Sequence, residues 1–534
     1  MDLRSMLDFD WSIAAGNTFM SKEEFQKLIS KYKGIVKFKD QYIYLESREM
    51  ERILKQLDKK PSLSPLDILK VHLEESYKGV PIKTGTGLKK IFKDLFTPKE
   101  TSLPADLKAE LRPYQLSGYK WLYHNYSIGI GSIIADDMGL GKTLQVIAFI
   151  LKLKEAGDLK TKKVIAIVPA SVMLNWQREI EKFAPALKSV IYHGQKREKE
   201  ILKQQDTDVI ITTYSLARMD KDIFSKIKWR CIVTDEAQNI KNAETSQTKA
   251  VKSIKGDYKI AMTGTPVENR LMDYWSIADF TMKNLLGSKT VFKQEFAIPI
   301  EKFNNQNRLE AFKKITAPFI LRRMKTDKTI ISDLPDKISI DQWVSLSKDQ
   351  TALYQDLVDS VKDLDDNEDG INRKGLIFKL ITGFKQICNH PSLYLKEESA
   401  NPEFSGKSVL LLELLEKIVE KKEKVLIFTQ YKQMGTLLEK MINDHFSTGI
   451  LFFHGSLSQK KRNNIIDNFQ NMPEHRFLIV SLKAGGTGLN LTTANNVIHY
   501  DLWWNPAVED QATDRAFRIG QKKNVNVYRF ITKG

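Results

Sequence analysis

From residue 132 onward, short runs of consecutive apolar residues alternate with stretches in which apolar positions recur every three or four. SIIA (132–135), VIAIVP (164–169), DVIITT (208–213), CIVTDE (231–236) and KIAMTG (259–264) lack polar alternation, the pattern of strands covered by helices on both faces. Between them Val172, Trp176, Ile180 and Phe183 fall on one face of a helix starting near Ser171. The rhythm lapses over 271–335 and 344–400, which read mainly as helices with charged loops, the acidic DLDDNEDG (363–370) being a solvated one. It resumes with VLIFTQ (425–430), LFFHG (451–455), FLIVS (477–481), VIHYD (497–501) and VNVYRFI (525–531). Alternating strands and helices predict an α/β chain of two doubly wound parallel-sheet lobes, with helical protrusions inserted and ligands at the carboxyl ends of strands.

Ahead of these lobes the texture differs. SKEE offers a capping box, Ser21 with Glu24, opening an amphipathic helix, and IVKF and YIYL alternate around Lys39-Asp40 like a hairpin. A small α+β accessory module over 1–104 is expected, closed by TPKETSLP (97–104). The first lobe then spans 105–336, with a helical protrusion at about 271–335. Residues 337–405 form a linker and second protrusion, and 406–534 the second lobe. The chain stops at Gly534 directly after an apparent strand, so that lobe is expected to lack a C-terminal helix.

Bulk properties narrow the class. At 534 residues, 42% hydrophobic and 28% charged, the chain reads as a multi-domain globular protein. Its apolar runs are short and charge-interrupted, and MDLRSMLDFDW carries acids where a signal peptide needs a basic patch, so neither membrane insertion nor secretion is expected; the reading is cytoplasmic, nucleoid-associated if bacterial. Cys231 and Cys388 stand too far apart in sequence for a disulfide framework or a four-thiolate zinc site, and Cys388-Asn389-His390 reads as a packed turn. The net charge of +17 points toward a polyanionic partner.

The chemistry starts at ADDMGLGKT (135–143). The common phosphate-loop pattern puts a glycine five places before Gly141, where this chain has Asp136. The setting, after a strand and before a helix, is nevertheless that of a phosphate cradle, formed here by Asp136, Asp137, Met138, Gly139, Leu140, Gly141, Lys142 and Thr143. Backbone N–H groups there bind phosphate oxygens, Lys142 supplies a point charge and the Thr143 hydroxyl can ligate magnesium. Gly139 and Gly141 allow close approach. Asp235-Glu236, at the end of the strand CIVTD, supplies the second half: one carboxylate to hold the metal and one to polarise a hydrolytic water. Nucleotide hydrolysis with Mg2+ is therefore the leading reading.

LRPYQLSGYKWL (111–122), DDMGLGKT, DEAQ (235–238), MTGTP (262–266), SLKAGGTGLNL (481–491) and DQATDRAFRIGQ (510–521) occur in this order. Together they resemble the Snf (sucrose non-fermenting) family of helicase superfamily two, over residues 106–534, and the first hundred residues resemble the accessory region of bacterial members. The resemblance implies RecA-like lobes and accounts for Asp136, since aspartate stands at this place in the family's loop. It puts Gln115 at the adenine edge, and it brings Arg515 and Arg518 across the cleft as arginine fingers with Gln511 alongside. Where relatives carry histidine this chain has Gln238, whose amide still offers a donor and an acceptor toward Thr263-Gly264-Thr265.

By the same resemblance nucleic-acid backbone lies across both lobes, touched by Ser171, Trp176, Thr212, Thr213, His454, Gly455, Lys483, Gly485, Gly486 and Thr487. Most of these offer the hydroxyl, cation or backbone amide suited to phosphates rather than bases. Trp504 reads as core packing with a functional edge, and Arg322 and Arg323 either as partners of phosphate or cleft groups or as a solvated basic helix. The family's activity is ATP-dependent translocation along double-stranded DNA without strand separation. A strand-separating helicase, a remodeller of protein–nucleic-acid complexes such as RNA polymerase, and a non-hydrolysing scaffold are the alternatives, and the partners expected are duplex DNA and a DNA-bound protein cargo.

Overall fold

The structure is a computed structural model. It describes residues 100–534 apart from 195–196, 198, 204–205, 265–269, 326, 332–333, 363–369, 486–488 and 534. Within 1–99 it describes residues 27 and 97 and six strands. These are β1 (Ser12–Ala15), β2 (Thr18–Ser21), β3 (Gly34–Phe38), β4 (Gln41–Leu45), β5 (Ser76–Tyr77) and β6 (Val80–Pro81), paired as three antiparallel hairpins. The hairpin expected around Lys39-Asp40 is present, Phe38 lying opposite Gln41. Ser21 ends β2, and Glu24 of the expected capping box lies outside the described residues.

The first lobe is a seven-stranded parallel sheet. Its strands are β7 (Ser132–Ile134), β8 (Val164–Val168), β9 (Ser189–Ile191), β10 (Val209–Thr213), β11 (Trp229–Thr234), β12 (Gly256–Met262) and β13 (Ile320–Leu321), in the spatial order β13-β7-β12-β11-β8-β10-β9. The uninterrupted apolar runs follow from this position. Ile133, Ile165, Ile167, Ile210, Ile232 and Ala261 enter one buried cluster, while Ile134, Ala166, Val168, Ile211, Val233 and Ile260 enter the other. Successive side chains point to opposite faces, and both faces are covered. The helix Met173–Phe183 buries Trp176 and Ile180 as its spacing predicts. The helices of 271–316 pack Leu271, Tyr274, Phe292, Phe296 and Phe312 into the first lobe's core, and the chain then returns to the sheet edge as β13.

The second lobe is a six-stranded parallel sheet of β14 (Lys337–Ser345), β15 (Val425–Thr429), β16 (Leu451–Phe453), β17 (Phe477–Ser481), β18 (Asn496–His499) and β19 (Val525–Lys533), in the order β14-β19-β18-β15-β17-β16. Its edge strand β14 comes from the stretch the sequence assigns to the linker. β14 pairs with β19 along all nine residues, so the sheet begins at 337 rather than 406.

A helical insertion between β14 and β15 is anchored by a buried polar network. Asn389 Nδ2 donates to Asp501 Oδ2 (3.0 Å), which also accepts from Thr429 Oγ1 (2.6 Å), and Lys407 Nζ bridges Asn389 Oδ1 (3.2 Å) and the Tyr500 carbonyl (3.1 Å). His390 caps the helix Pro391–Leu395 by accepting from Ser392 N at 3.2 Å, so the expected packed turn at Cys388-Asn389-His390 is instead the junction of two helices, Cys388 and Asn389 ending the first. Among the described residues no helix is long and apolar enough to cross a membrane.

Candidate nucleotide site between the lobes

The phosphate loop leaves β7 and enters the helix Lys142–Glu155, whose N-cap Gly141 supplies no side-chain cap, so that the first N–H groups, which no helix pairs internally, are left for a ligand. Gly139 and Gly141 have φ of +84° and +72°. At Gly141 a Cβ would also lie 2.4 Å from Gln115 Nε2, so only glycine fits. Lys142 Nζ donates to the carbonyls of Asp136 (2.6 Å) and Asp137 (3.2 Å). Burial pulls its pKa down, opposed by Glu236, Asp136 and Asp235.

Asp136 is fully buried and grips Arg323. The Arg323 backbone N and Nε donate to Asp136 Oδ1 at 3.1 and 3.0 Å, and its second guanidinium arm pairs with Oδ2. Arg323 also donates to Gln145 Oε1 (2.8 Å) and to the Tyr114 carbonyl. A bidentate, desolvated pair of this kind fixes the loop's entry geometry. The acid in the glycine position is therefore the socket for an arginine from beyond the sheet edge. Arg323 follows β13 in irregular chain, so the solvated-helix reading is replaced by an internal ion pair.

Asp235 and Glu236 project from the end of β11, one strand removed from β7, with β12 and its Thr263 between them. Trp176 Nε1 donates to Asp235 Oδ2 (2.8 Å), and the Glu236 N–H donates to Oδ1 (2.9 Å). Glu236 adopts φ +50°, a left-handed conformation for a non-glycine residue. Gln238 Nε2 donates to Glu236 Oε2 (2.9 Å) and its Oε1 accepts from Thr263 Oγ1 (3.1 Å), so the glutamine does join the acid pair to β12. Burial pushes both carboxyls up, each opposed by Lys142 and Arg515.

The second lobe completes the enclosure. Lys142, Thr143, Asp235, Glu236, Arg515 and Arg518 line one cavity together with Met138, Gly139, Gly141 and Glu179. Arg515 is 4% exposed and its guanidinium lies 3.5 Å from Met138 Sδ. Burial lowers its pKa, opposed first by Glu236. Arg518 lies against the loop so closely that a Cβ on Gly139 would be 2.7 Å from its Cγ. A second cavity of ≈ 500 Å³ shares Met138 with the first and is lined by Asp137, Gly264, Lys325, Gln511, Asp514 and Phe517.

Magnesium suits these donors. Thr143 and Asp235 offer hard oxygen atoms in a cavity that Glu236 and Glu179 also line, and among the described residues no group of three or more His, Cys, Asp or Glu could hold a metal alone. An ion that keeps waters and takes further ligands from phosphates needs no more.

Other expectations land differently. Gln115 is buried, its Nε2 donating to the Leu140 carbonyl (3.2 Å) and its Oε1 accepting from Arg112 N (3.1 Å), so it braces the phosphate loop from behind. Three residues expected to touch nucleic acid are turned inward. Trp176 is buried against Asp235, Thr212 Oγ1 donates to the Tyr192 carbonyl (3.1 Å), and Thr213 Oγ1 caps a helix by accepting from Leu216 N (3.3 Å). Thr212 and Thr213 end β10 and Trp176 lies in the helix that follows β8, but the polar atoms of all three are already engaged. Ser171 lines an inter-lobe groove with Arg178, Phe453 and Arg462. Gly455 is exposed beside half-buried His454, whose pKa burial depresses, and its carbonyl accepts from Arg462. Lys483 and Gly485 belong to the helix Leu482–Gly485, and Thr265, Gly486 and Thr487 lie outside the described residues. Trp504 is 66% exposed with Lys385 Nζ 3.9 Å above its ring, so it is a surface residue rather than core.

Sequence reasoning did not single out Lys325, Glu179 or the internal role of Trp176. A signal for Lys325 existed in RRMK directly after an apolar edge segment, cations to match the acids Asp136-Asp137.

Comparison with known proteins bears on kinship. Residues 114–393 match the SNF2-related domain, 406–520 the helicase conserved C-terminal domain and 1–73 a model described as SNF2 Helicase protein. The chain is similar to the putative ATP-dependent helicase/translocase YwqA of Bacillus subtilis, 40% identical over all of this chain and 60% of the relative. It is similar also to the TATA-binding protein-associated factor MOT1 of Saccharomyces cerevisiae, 34% identical over 82% of this chain and 27% of that one. The chain thus spans less than two thirds of these relatives' length. Among solved structures, the Sulfolobus solfataricus SWI2/SNF2 ATPase core in complex with dsDNA is 43% identical, covering 82% of this chain and 91% of that one, with a TM-score of 0.45.

Proposed function

Since the chain belongs to the SNF2-related family of ATP-dependent helicases, we propose that it is an ATP hydrolase that moves along double-stranded DNA without separating the strands. The observation that carries this reading is the single cavity to which one lobe gives Lys142, Asp235 and Glu236 and the other gives Arg515 and Arg518. In this reading the loop amides and Lys142 hold the β and γ phosphates. Glu236 accepts a proton from the attacking water as its oxygen bonds to the γ phosphorus and the bond to the β,γ-bridging oxygen breaks, leaving ADP and phosphate. Arg515 and Arg518 stabilise the charge that develops on the transferred group, which arginines so placed commonly do by ~10³ to 10⁵ in turnover. Thr143 and Asp235 would hold the magnesium ion, which when bound neutralises phosphate charge.

Because the groups that complete the site come from both lobes, hydrolysis is tied to their closure, and closure supplies the stroke. Duplex DNA fits the +17 charge and the relatives named as helicase or translocase. The test is ATP turnover with no nucleic acid, single strands, duplex DNA and duplex RNA in parallel, at several salt concentrations. Stimulation by duplex DNA, lost in Lys142→Ala and Glu236→Gln, is expected; turnover indifferent to DNA, or surviving Lys142→Ala, defeats the proposal. Triplex displacement without duplex unwinding separates a translocase from a strand-separating helicase. Similarity to a TATA-binding protein-associated factor favours a second reading, in which the same engine displaces protein from DNA; clearance of a protein roadblock from a duplex tests it.

A further inference from the structure

The connection between the lobes runs from β13 at one sheet edge to β14 at the edge of the other. Arg323 on this connection is already docked on Asp136. Two residues on, Lys325 is 7% exposed and reaches both lobes. Its backbone N donates to Asp137 Oδ2 in the phosphate loop (2.9 Å). Its Nζ pairs with Asp514 Oδ1 (2.8 Å) and donates to the Phe517 carbonyl (2.7 Å) in the second lobe, 5.3 Å from the Phe517 ring centroid. Asp514 immediately precedes Arg515, and Phe517 immediately precedes Arg518.

We propose that Lys325 is a positioning residue, a latch that binds the backbone segment carrying Arg515 and Arg518 to the phosphate loop and so sets the reach of both arginines into the nucleotide cavity. The inference rests on the hydrolysis reading for its consequence, but the latch itself is geometric. An ammonium with three donors suits such a latch, because it satisfies a carboxylate and a carbonyl across an interface where a neutral side chain would leave both buried acceptors unmet. The pairing is also reversible. Lys325 and Asp514 are both largely withdrawn from water where they meet, so separation of the lobes returns both to water and the contact can be made and broken in each cycle. Two successive acids of the loop thus have separate duties, Asp136 holding Arg323 within the first lobe and Asp137 orienting the residue that crosses to the second.

Two measurements on the full chain test this. In the first, ATP turnover is compared for wild type, Lys325→Met, Lys325→Arg, Asp514→Asn, Arg515→Ala and the double variant Lys325→Met/Arg515→Ala. Lys325→Met should lower kcat by about tenfold to a hundredfold, as loss of alignment does, with KM within about threefold. Lys325→Arg should recover part of the loss, and Lys325→Met should cost little more once Arg515 is gone. A kcat for Lys325→Met within twofold of wild type, or a loss that multiplies undiminished in the Arg515→Ala background, overturns the proposal. In the second, electron–electron distances are measured between nitroxides on Glu200→Cys and Glu420→Cys, one on each lobe; Cys231 is buried and Cys388 half-buried, and burial raises both thiol pKa values, which slows their labelling. Lys325→Met should broaden and lengthen the inter-lobe distance and Lys325→Arg should not; an unchanged distribution overturns the latch. A wild-type chain without ATP turnover defeats the hydrolysis reading instead, and the distances still decide the latch.

Discussion

Replacing Asp136 by glycine, the residue most phosphate loops carry there, should damage this protein rather than improve it. The carboxylate is fully buried and Arg323, its partner, is only 8% exposed. Removing one member of a buried pair leaves the other charge without compensation, which costs about 3–5 kcal/mol. At roughly 2–4 °C per kcal/mol for a lobe of this size, the first lobe's melting should fall by roughly 6–20 °C. Arg323 would keep its bonds to Gln145 and Tyr114, which places the loss nearer the lower bound. The assay is thermal unfolding of the full chain, followed by circular dichroism with and without a non-hydrolysable ATP analogue, for Asp136→Gly, Arg323→Met and the double variant. The double variant should recover more than half of the loss, because a buried pair replaced by apolar atoms is often neutral. If Asp136→Gly melts at or above the wild-type temperature, the socket account is wrong and the acid has no structural partner of consequence.

Trp176→Phe deletes the indole donor to Asp235 while keeping the ring's bulk; turnover should fall about tenfold or more with nucleotide affinity little changed, and unchanged turnover in a steady-state assay would show that Asp235 orients itself. Gly141→Ala forces φ +72° on a residue with a Cβ aimed at Gln115; a loss of about 1–3 kcal/mol in stability, with weakened binding of a fluorescent nucleotide, should result. His499 is buried, stacked on Phe428 and bonded to Thr513 Oγ1 (2.9 Å), and burial pushes its pKa down to about 4. Between that value and the 6.5 of free histidine the unfolded chain binds a proton the native lobe refuses, so stability present above pH 6.5 is lost as pH falls toward 4. From pH 7.5 to 5 this amounts to about 2 kcal/mol, and urea midpoints of His499→Gln should show a correspondingly shallower acid slope than wild type.

The central strands were legible because a strand sandwiched between helix layers is buried on both faces, and β7, β8, β10, β15 and β17 are so throughout, as are the C-terminal halves of β11 and β12. Three edge or near-edge elements were not. β9 is half-buried throughout, β13 has two residues, and β14 is mostly exposed, its KISIDQWVS mixing charge with apolar residues. Such strands have one hydrogen-bonded neighbour and little burial, so the sequence carries no continuous apolar run to mark them. Similarly, motif spacing locates Lys142, Asp235, Glu236 and Arg515 because their chemistry depends on position along a strand end or helix. It does not tell which way a side chain turns. Trp176 and Thr212 face inward to donate to Asp235 and the Tyr192 carbonyl, and Thr213 to accept from Leu216 N at a helix start. Asp136 and Arg323, 187 residues apart, become partners only when β13 is laid beside β7.

The anchoring of the helical insertion on Asp501 has a mechanical side. The helix Gly370–Asn389 is 20 residues long, about 30 Å at 1.5 Å per residue, and its C-terminal end is fastened by Asn389. A rod fixed at its root magnifies rotation: a turn of about 15°, a magnitude known for subunits moving about an interface, sweeps its far end through about 8 Å. Phe378, 72% exposed and partway along that rod, sits about 16 Å from Asn389 and would travel about 4 Å, so that whatever leans on this side chain is pushed by an amplitude set by its distance from the anchored end rather than by the small displacement at the nucleotide cavity.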